Sequence, residues 1–331
     1  MGTSNIRLFA LQDSLSFGEA VGKAMAEPMQ AHEERVFEDG ERKIRPLVSV
    51  RGADVYVIQS LHGDPKASAH DKLCHLAFFL GALRESGASR LTAAIPYLCY
   101  ARKDRRTKPR DPVTSRYVAT ILEAMGVDRV IGLDVHNVAA FENAFRCETV
   151  HLEMRKSFVE RIIAWSRDDK AYDYVVVSPD VGGAKRAEAF RQSLEVRVKR
   201  PVSMAFLEKY RSGGVTSGEA LVGDVAGKTV IVVDDLVSSG GTLARAAQGC
   251  KAAGAETVLA VATHGLFVGE ASRILGEAPI ERLFVSDSVP PFRLTAGAAR
   301  DRLEVISAAP LFAEAIGRLH GGGSVSELLS S

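Results

Sequence analysis

The 331-residue chain has few cysteines and no excess of charge of either sign. Its four cysteines, Cys74, Cys99, Cys147 and Cys250, form no C-x-x-C pair and show no zinc-ligand spacing. They are therefore typical of reduced thiols rather than of a disulfide framework. Forty-two Lys and Arg residues against 41 Asp and Glu residues give a net charge of +1. This balance argues against a generally basic nucleic-acid binder and against an acidic tail protein.

Long apolar runs and targeting signals are also missing. The longest apolar stretch, around Leu76–Leu83, is far too short to cross a bilayer. The first ten residues lack a basic segment followed by an apolar one, so they do not resemble a secretory signal. Ile6 stands where a myristoylation signal requires Ser or Thr. We expect a cytoplasmic protein that does not associate with membranes.

The chain does contain short β-branched runs that alternate with amphipathic helices, a pattern typical of a parallel α/β sheet. A helix is predicted over Asp111–Met125, with Asp111 as its cap and Pro112 in its first turn. At roughly 100–200 residues per domain the length indicates two domains, with a boundary near 150–160. Strands are predicted at Asp54–Gln59, Leu91–Ile95, Val130–Val135, Tyr174–Ser178 and Thr229–Val233.

The charges are not spread evenly along this pattern. Residues 101–110 (ARKDRRTKPR), here called the basic segment, hold six basic groups and one acidic group. They follow the predicted strand Leu91–Ile95, at the end where open α/β sheets bind ligands. The alternatives are a solvated basic loop or an RNA-binding patch. Only Tyr97 and Tyr100 are nearby aromatics, so the nucleic-acid interpretation is weak.

A second segment, Lys228–Thr242 (KTVIVVDDLVSSGGT), has the composition of a sugar-phosphate site. An apolar strand ends in Asp234 and Asp235, and a loop of two serines and two glycines leads to Thr242 at the start of a helix. Backbone amides, hydroxyls and a helix N-terminus together make a phosphate cradle. Two acids beside an anion site make sense if they bind the two hydroxyls of a ribose whose 5-phosphate lies in the loop. The alternative is a solvated turn at the end of a strand.

This string resembles the ribose-phosphate binding signature of the phosphoribosyltransferase-like fold. Six further segments stand in the order, and at close to the spacing, of the ribose-phosphate pyrophosphokinase family, so the resemblance covers nearly the whole chain. They are FEDGE (Phe37–Glu41), YARKD (Tyr100–Asp104), DVH (Asp134–His136), SPDVGGAKR (Ser178–Arg186), LVGDV (Leu221–Val225) and ATHGLF (Ala262–Phe267).

The resemblance implies an α/β fold of two tandem phosphoribosyltransferase-like (Rossmann-like) domains, each with a mostly parallel sheet flanked by helices. Residues 1–155 would carry the ATP site, and residues 156–331 the ribose 5-phosphate site and a catalytic flap. The implied reaction is pyrophosphoryl transfer from Mg-ATP to the anomeric hydroxyl of ribose 5-phosphate, giving 5-phosphoribosyl 1-pyrophosphate (PRPP) and AMP. Mg²⁺ is the implied cofactor.

The resemblance also implies a role for individual residues. The family more often has Gln where Lys103 stands, and many members have Asp where Ser238 stands, so this loop is similar to that of archaeal-type members. Catalytic roles fall to Lys209 and Arg211 on the flap, ATP binding to Phe37, Asp39, Glu41, Arg102, Lys103 and His136, metal binding to His136 and Asp180, and ribose 5-phosphate binding to Asp234, Asp235, Ser238, Ser239, Gly240, Gly241 and Thr242.

The implied partners are ATP, ribose 5-phosphate and further copies of the chain, since the Phe37–Glu41 segment often serves a neighbouring subunit in this family. We therefore expect a homo-oligomer. Two other functions stay open on the residues. A PRPP-consuming phosphoribosyltransferase shares the sugar-phosphate loop, but it would need neither the basic segment nor a second similar domain. A non-catalytic regulatory paralogue could dispense with Lys209 and Arg211, which this chain retains.

Overall fold

The computed structural model describes residues 5–166, 173–180, 182–212 and 215–329, with the backbone alone for 208–212, 215–220 and 329. The chain divides into two compact units, residues 1–153 with 308–330 and residues 154–307. Residues 308–330 are predicted from the sequence to lie in the second domain. They belong to the first unit because their helix packs against the first helix of the chain.

The first unit is built on a five-stranded parallel sheet in the order β1-β4-β5-β6-β7. An antiparallel hairpin of two further strands, β2 and β3, stands apart from it. These strands are β1 (Ile6–Ala10), β2 (His32–Val36), β3 (Arg42–Pro46), β4 (Asp54–Ile58), β5 (Arg90–Ile95), β6 (Arg129–Leu133) and β7 (Glu148–Leu152). The helices of this unit are α1 (Leu15–Met25), α2 (Ala69–Glu85), α3 (Thr114–Ala124), α4 (Val138–Ala144), α10 (Ala309–His320) and α11 (Ser326–Leu329).

The second unit has a seven-stranded sheet in the order β10-β9-β8-β11-β12-β13-β14, in which only β9 and β10 pair antiparallel. Its strands are β8 (Tyr174–Ser178), β9 (Ser203–Ser212), β10 (Val215–Val222), β11 (Thr229–Val237), β12 (Thr257–Gly265), β13 (Arg282–Ser286) and β14 (Leu303–Ile306). Its helices are α5 (Arg155–Ser166), α6 (Ala184–Val198), α7 (Gly241–Ala252), α8 (Ala271–Glu277) and α9 (Ala298–Asp301).

Each unit has its own apolar core, formed by one face of the central strands and the helices packed on it. In the first unit Val55, Leu91 and Val130 meet Leu76 of α2 and Leu122 of α3. In the second unit the corresponding cluster joins alternate residues of β8, β11 and β12 to the inward face of α7. Strands buried on both faces read as continuous apolar runs, which is why they were recognisable in the sequence. The predicted α/β class with parallel sheets is confirmed.

The start of α3 differs from the prediction. The helix begins at Thr114, and Asp111 lies outside it. The carboxylate of Asp111 instead accepts hydrogen bonds from the backbone N–H groups of Thr107 and Lys108, both at 3.0 Å. An Asp side chain that bonds nearby backbone amides competes with helix formation, so the segment before α3 folds as a loop. None of the helices in the described part of the chain combines the length and the apolar composition that a membrane span requires.

Candidate active site

The second unit has a crevice where its strand order reverses. β8 and β11 are neighbours in the sheet, but the chain leaves β8 towards β9 and leaves β11 towards β12. The connections that follow the two strands therefore turn away from each other at their carboxyl ends. Open α/β sheets bind ligands at such a switch point. Asp180, Asp234 and Asp235, which the sequence singled out, all stand at this edge.

The two consecutive carboxylates of β11 are crowded together and share one cation. Asp235 is buried, and its backbone N–H donates to Oδ1 of Asp234 at 2.9 Å. Nη1 of Arg186, near the start of α6, lies 3.5 Å from Oδ1 of Asp235 and 3.7 Å from Oδ1 of Asp234. Burial, together with the hydrogen bond and charge of Asp235, raises the pKa of Asp234 well above its ordinary value. A pair that resists holding two negative charges is suited to binding neutral hydroxyl groups.

The loop after β11 is shaped by its glycines. Gly240 has φ +81°, and a Cβ atom there would lie 2.7 Å from Cγ of Leu275, so only glycine fits without displacing that side chain. The carbonyl of Ser238 accepts a hydrogen bond from the backbone N–H of Val268 at 2.9 Å, which ties the loop to the segment after β12. Among the described residues no side chain caps the N-terminus of α7. That N-terminus leaves backbone donors directed at the loop, which suits an anion.

The five loop residues predicted to bind phosphate therefore stand together at the end of β11 and the start of α7. Ser239 is exposed, whereas Gly240 is buried and the remaining three are half-buried. They are Ser238, Ser239, Gly240, Gly241 and Thr242.

Asp180 organises the turn that follows β8. Its Oδ1 accepts a hydrogen bond from the backbone N–H of Gly183 at 2.9 Å, and the hydroxyl of Ser178 donates to its carbonyl at 2.6 Å. Val181, within the same predicted motif, lies outside the described residues. This turn holds the carboxylate at the crevice, in a position open to a cation or a water molecule.

The described residues contain no group of three or more His, Cys, Asp or Glu side chains arranged to hold a metal ion. Mg²⁺ usually keeps several waters and takes one or two protein carboxylates together with substrate phosphates. Asp180 fits that need as a single ligand, so the residues present suit a metal that arrives with a nucleotide rather than a permanent cage.

The predicted flap cations, Lys209 and Arg211, lie on β9, which extends further than the neighbouring strand β8. The pairing of β8 with β9 ends at Ser178 and Phe206, whereas β9 continues to Ser212 in its hairpin with β10. Because β8 and β9 are parallel, the extra residues extend past the carboxyl end of β8, the edge that carries Asp180. At about 3.3 Å per residue, Lys209 stands roughly 10 Å beyond Phe206. The side chains of Lys209 and Arg211 lie outside what the structure describes.

In the first unit, the basic segment lies in the loop between β5 and α3. Arg102 is exposed there. Nζ of Lys103 instead donates to Oδ2 of Asp111 at 2.6 Å. That hydrogen bond, helped by those from Thr107, holds the pKa of Asp111 far below its usual range. The role of Lys103 in ATP binding stays a prediction. To bind a phosphate, its ammonium group would have to give up the hydrogen bond to Asp111.

His136 follows β6 and is exposed at the same edge of the first sheet. Its neighbour Asn137 caps α4, since its Oδ1 accepts from the N–H of Ala140 at 3.2 Å. Asn137 also donates through Nδ2 to Oδ2 of Asp104 at 2.7 Å, which ties the end of β6 to the basic segment. Asn137 and Arg186 cannot be recognised from the sequence as site residues, because each binds a residue that is distant in the chain and follows another strand.

The Phe37–Glu41 segment forms the tip of the β2–β3 hairpin. The N–H of Phe37 donates to the carbonyl of Glu41 at 2.8 Å, and the N–H of Glu41 donates to Oδ1 of Asp39 at 3.0 Å. The ring of Phe37 is 40% exposed, with the guanidinium of Arg35 5.2 Å from its centre. An aromatic side chain is thus presented to solvent on a hydrogen-bonded turn.

Comparison with known proteins places this geometry in a family. Residues 6–126 match the model of the N-terminal domain of ribose phosphate pyrophosphokinase, and residues 214–330 match that of the phosphoribosyl synthetase-associated domain. The chain is 34% identical to the ribose-phosphate pyrophosphokinase of Caldanaerobacter subterraneus subsp. tengcongensis, with 99% of each chain covered. It is 33% identical to that of Clostridium perfringens, with 98% of each covered.

The chain belongs to the ribose-phosphate pyrophosphokinase family. The crystal structure of phosphoribosylpyrophosphate synthetase from Mycobacterium smegmatis resembles the fold with a TM-score of 0.85 at 32% identity. That similarity covers 96% of this chain and 100% of the Mycobacterium chain. The predicted family and its enzymatic class are therefore confirmed. The roles of individual site residues stay predictions.

Proposed function

We propose that this protein transfers the pyrophosphoryl group of Mg-ATP to the anomeric hydroxyl of ribose 5-phosphate, giving PRPP and AMP. The observation that carries this proposal is the switch-point crevice of the second unit, where the Asp234–Asp235 pair leads directly into the glycine-containing loop. The two carboxylates can bind the hydroxyls of a sugar phosphate, and the loop can bind its phosphate group. Full-length similarity to enzymes of this name supports the same conclusion.

The ribose 5-phosphate site divides between two kinds of group. Asp234 and Asp235 accept hydrogen bonds from the ribose hydroxyls, and Arg186 offsets their charge. The loop Ser238–Thr242 and the N-terminus of α7 bind the 5-phosphate through backbone amides and hydroxyls. Gly240 allows the loop to turn sharply enough for its amides to converge.

The nucleotide binds to residues of the first unit, and the catalytic cations lie on the flap of the second. Arg102 and Lys103 offer charge to the triphosphate, and Lys209 and Arg211 neutralise the transferring group when the flap closes over it. The hydroxyl that attacks and the phosphorus it attacks must be held in line, since positioning supplies much of the catalysis of phosphoryl transfer. The long β9–β10 hairpin is the element suited to that closure.

Mg²⁺ reaches the site as part of the Mg-ATP substrate. His136 and Asp180 are the proposed protein ligands, and Asp180 has a carboxylate held at the crevice by Gly183. When bound, the ion neutralises phosphate charge.

The protein works as a homo-oligomer in which a neighbouring subunit completes the ATP site. The support is Phe37, whose exposed ring stands at the tip of a hairpin outside the main sheet, with Asp39 and Glu41 on the same turn. Hybrid complementation tests this. Phe37→Ala and Asp234→Asn proteins, each weakly active, should recover activity when unfolded and reassembled together. No recovery, or a monomeric native mass, contradicts the proposal.

The reaction is tested with purified protein, ATP, Mg²⁺ and ribose 5-phosphate, with AMP and PRPP quantified. Equal amounts of AMP and PRPP are expected. A regulatory paralogue would form neither product. A phosphoribosyltransferase would consume added PRPP in the presence of a base and form no AMP from ATP. Replacing Lys209 and Arg211 by Ala should lower kcat far more than ATP affinity, and an equal loss of both would assign these cations to binding alone.

A further inference from the structure

Tyr100, the residue immediately before the basic segment, has an unusual backbone conformation. Its φ is +59°, in the left-handed region that non-glycine residues seldom occupy. Its carbonyl accepts a hydrogen bond from the N–H of Lys103 at 3.0 Å, which closes a four-residue turn with Arg102 inside it. The conformation of Tyr100 therefore sets the direction in which Arg102 leaves the sheet. A strained residue persists only where its surroundings hold it.

The ring of Tyr100 packs against the apolar core of the first unit, and a side chain outside the loop binds its hydroxyl. The hydroxyl of Tyr100 is hydrogen-bonded to Nδ1 of His70, and the two rings lie 5.7 Å apart at an angle of 37°. His70 is the second residue of α2, a helix that begins with a capping box between Ser68 and Asp71. The face of α2 that includes Leu76 is buried in the core of the first unit. His70 thus links a helix that is packed into the core to the residue immediately before the basic segment.

The far side of the same turn is fixed independently. The carbonyl of Lys103 accepts from the N–H of Ser115 in α3 at 3.2 Å, and Asp104 accepts from Asn137. These attachments fix the end of the turn at Lys103 and Asp104. The hydrogen bond between the Tyr100 hydroxyl and His70 ties the beginning of the turn to α2. Its loss would release the hydroxyl end of Tyr100, at the first residue of the turn, while the last residue stays anchored.

We propose that His70 is a positioning residue for ATP binding, which acts by holding Tyr100 in the left-handed conformation that directs Arg102 at the nucleotide. His70 itself need not touch the substrate. The inference rests on the proposed function, since it assumes that Arg102 meets ATP. It predicts an effect confined to the nucleotide, because the ribose 5-phosphate residues lie in the other unit.

The test uses the full-length chain and steady-state kinetics with each substrate varied in turn. His70→Ala and Tyr100→Phe should each raise KM for ATP about threefold to tenfold, the range expected for losing one hydrogen bond. KM for ribose 5-phosphate and the melting temperature should stay unchanged. The double variant should be no worse than the stronger single variant. His70→Asn, which keeps a polar atom near the position of Nδ1, should restore most of the affinity.

His75→Ala is the matched control, because His75 lies on the same helix and has no contact with the basic segment among the described hydrogen bonds and ring contacts. An unchanged KM for ATP in His70→Ala, or an equal rise in both KM values, would overturn the inference. Equilibrium binding of a non-hydrolysable ATP analogue separates the two proposals. If the native chain forms no AMP, the proposed reaction fails. The role of His70 is then supported if His70→Ala binds the analogue more weakly than the native chain does, and it is contradicted if the two proteins bind the analogue equally well.

Discussion

At the scale of single residues, the Asp234–Asp235 pair lowers the stability of the folded chain near neutral pH and provides the carboxylates proposed to bind the ribose. Burial and the neighbouring carboxylate raise the pKa of Asp234, so the folded chain holds its proton more tightly than the unfolded chain. The stability that this proton provides is complete below the ordinary carboxyl pKa and is lost as pH rises through the raised value. Near neutrality the native protein therefore tolerates a repulsion between the two carboxylates that Arg186 offsets only in part and that a bound ribose would relieve further.

Asp234→Asn should consequently be more stable than the native protein at pH 8, by about 1 kcal/mol, and no more stable at pH 4. It should also lose roughly tenfold or more in kcat/KM for ribose 5-phosphate, as expected for a lost hydrogen bond to a charged group. Urea unfolding at several pH values measures the first effect. Asp224→Asn is the control, since Lys228 lowers the pKa of that exposed carboxyl. A stability gain independent of pH would contradict this account.

Lys72 and Asp64 form the most deeply buried ion pair of the first unit that the structure describes. Lys72 is fully buried, with its Nζ hydrogen-bonded to Oδ2 of Asp64 and 3.5 Å from Nε2 of His62. Burial opposes ionisation of Asp64, but Lys72 and the backbone amides of Lys66 and Ala67 outweigh it and lower the pKa of Asp64 to about 2. A lowered carboxyl pKa stabilises the fold above the unfolded value and stops doing so as pH falls through the folded one.

Asp64→Asn should therefore cost about 3 kcal/mol at pH 7, because it leaves a buried ammonium without its counter-ion. The difference from the native protein should shrink as pH falls from 4 towards 2. Lys72→Met, which puts an apolar chain of similar length in place of the cation, should cost less, and the double variant should recover part of the loss. Chemical unfolding checks the order. If the two losses simply add in the double variant, the ion pair is not the source of the stability.

At the scale of elements, the predictable parts of the molecule are those set by neighbouring residues in the chain. The strand Tyr174–Ser178 is found as predicted, and the others agree within a few residues at each end. β11 runs four residues longer than predicted because β12 continues to pair with it as far as Gly265. The Asp pair and the loop after it were recognisable because they are consecutive. Arg186 and Asn137 were not, since their partners lie on other strand ends.

The loop after β11 offers a prediction at this scale. Gly240→Ala should destabilise the second unit by about 2–3 kcal/mol, because it combines a left-handed backbone with a clash against Leu275. KM for ribose 5-phosphate should rise in the same variant. Gly227→Ala separates the two causes, since Gly227 has φ +68° and open space where a Cβ would stand. If both variants lose equal stability, the close packing at Gly240 contributes nothing.

At the scale of the whole molecule, sequence order and folding units do not coincide. The chain builds the first unit, then the second, and then contributes residues 308–330 to the first again. Rings of Phe17 in α1 and Phe312 in α10 meet edge to face 5.4 Å apart, and Nδ1 of His320 lies 2.7 Å from Oδ2 of Asp54 at the start of β4. The unit to which residues 308–330 belong could not be predicted from the sequence, because the pattern of an amphipathic helix does not indicate which core the helix packs against.

Phe312→Ala should for this reason destabilise the first unit and spare the second. Phe312 is fully buried, so truncation should cost about 3–5 kcal/mol. The single tryptophan, Trp165, lies in α5 of the second unit and makes fluorescence a local probe, whereas far-ultraviolet circular dichroism follows both units. When Phe312→Ala is unfolded with urea, the circular dichroism should show a transition at lower urea concentration that the fluorescence does not show. Leu275→Ala, in the core of the second unit, should reverse the pattern by lowering the fluorescence midpoint. Coincident shifts of both probes in Phe312→Ala would mean that the two units unfold as one, and residues 308–330 would then stabilise the entire chain.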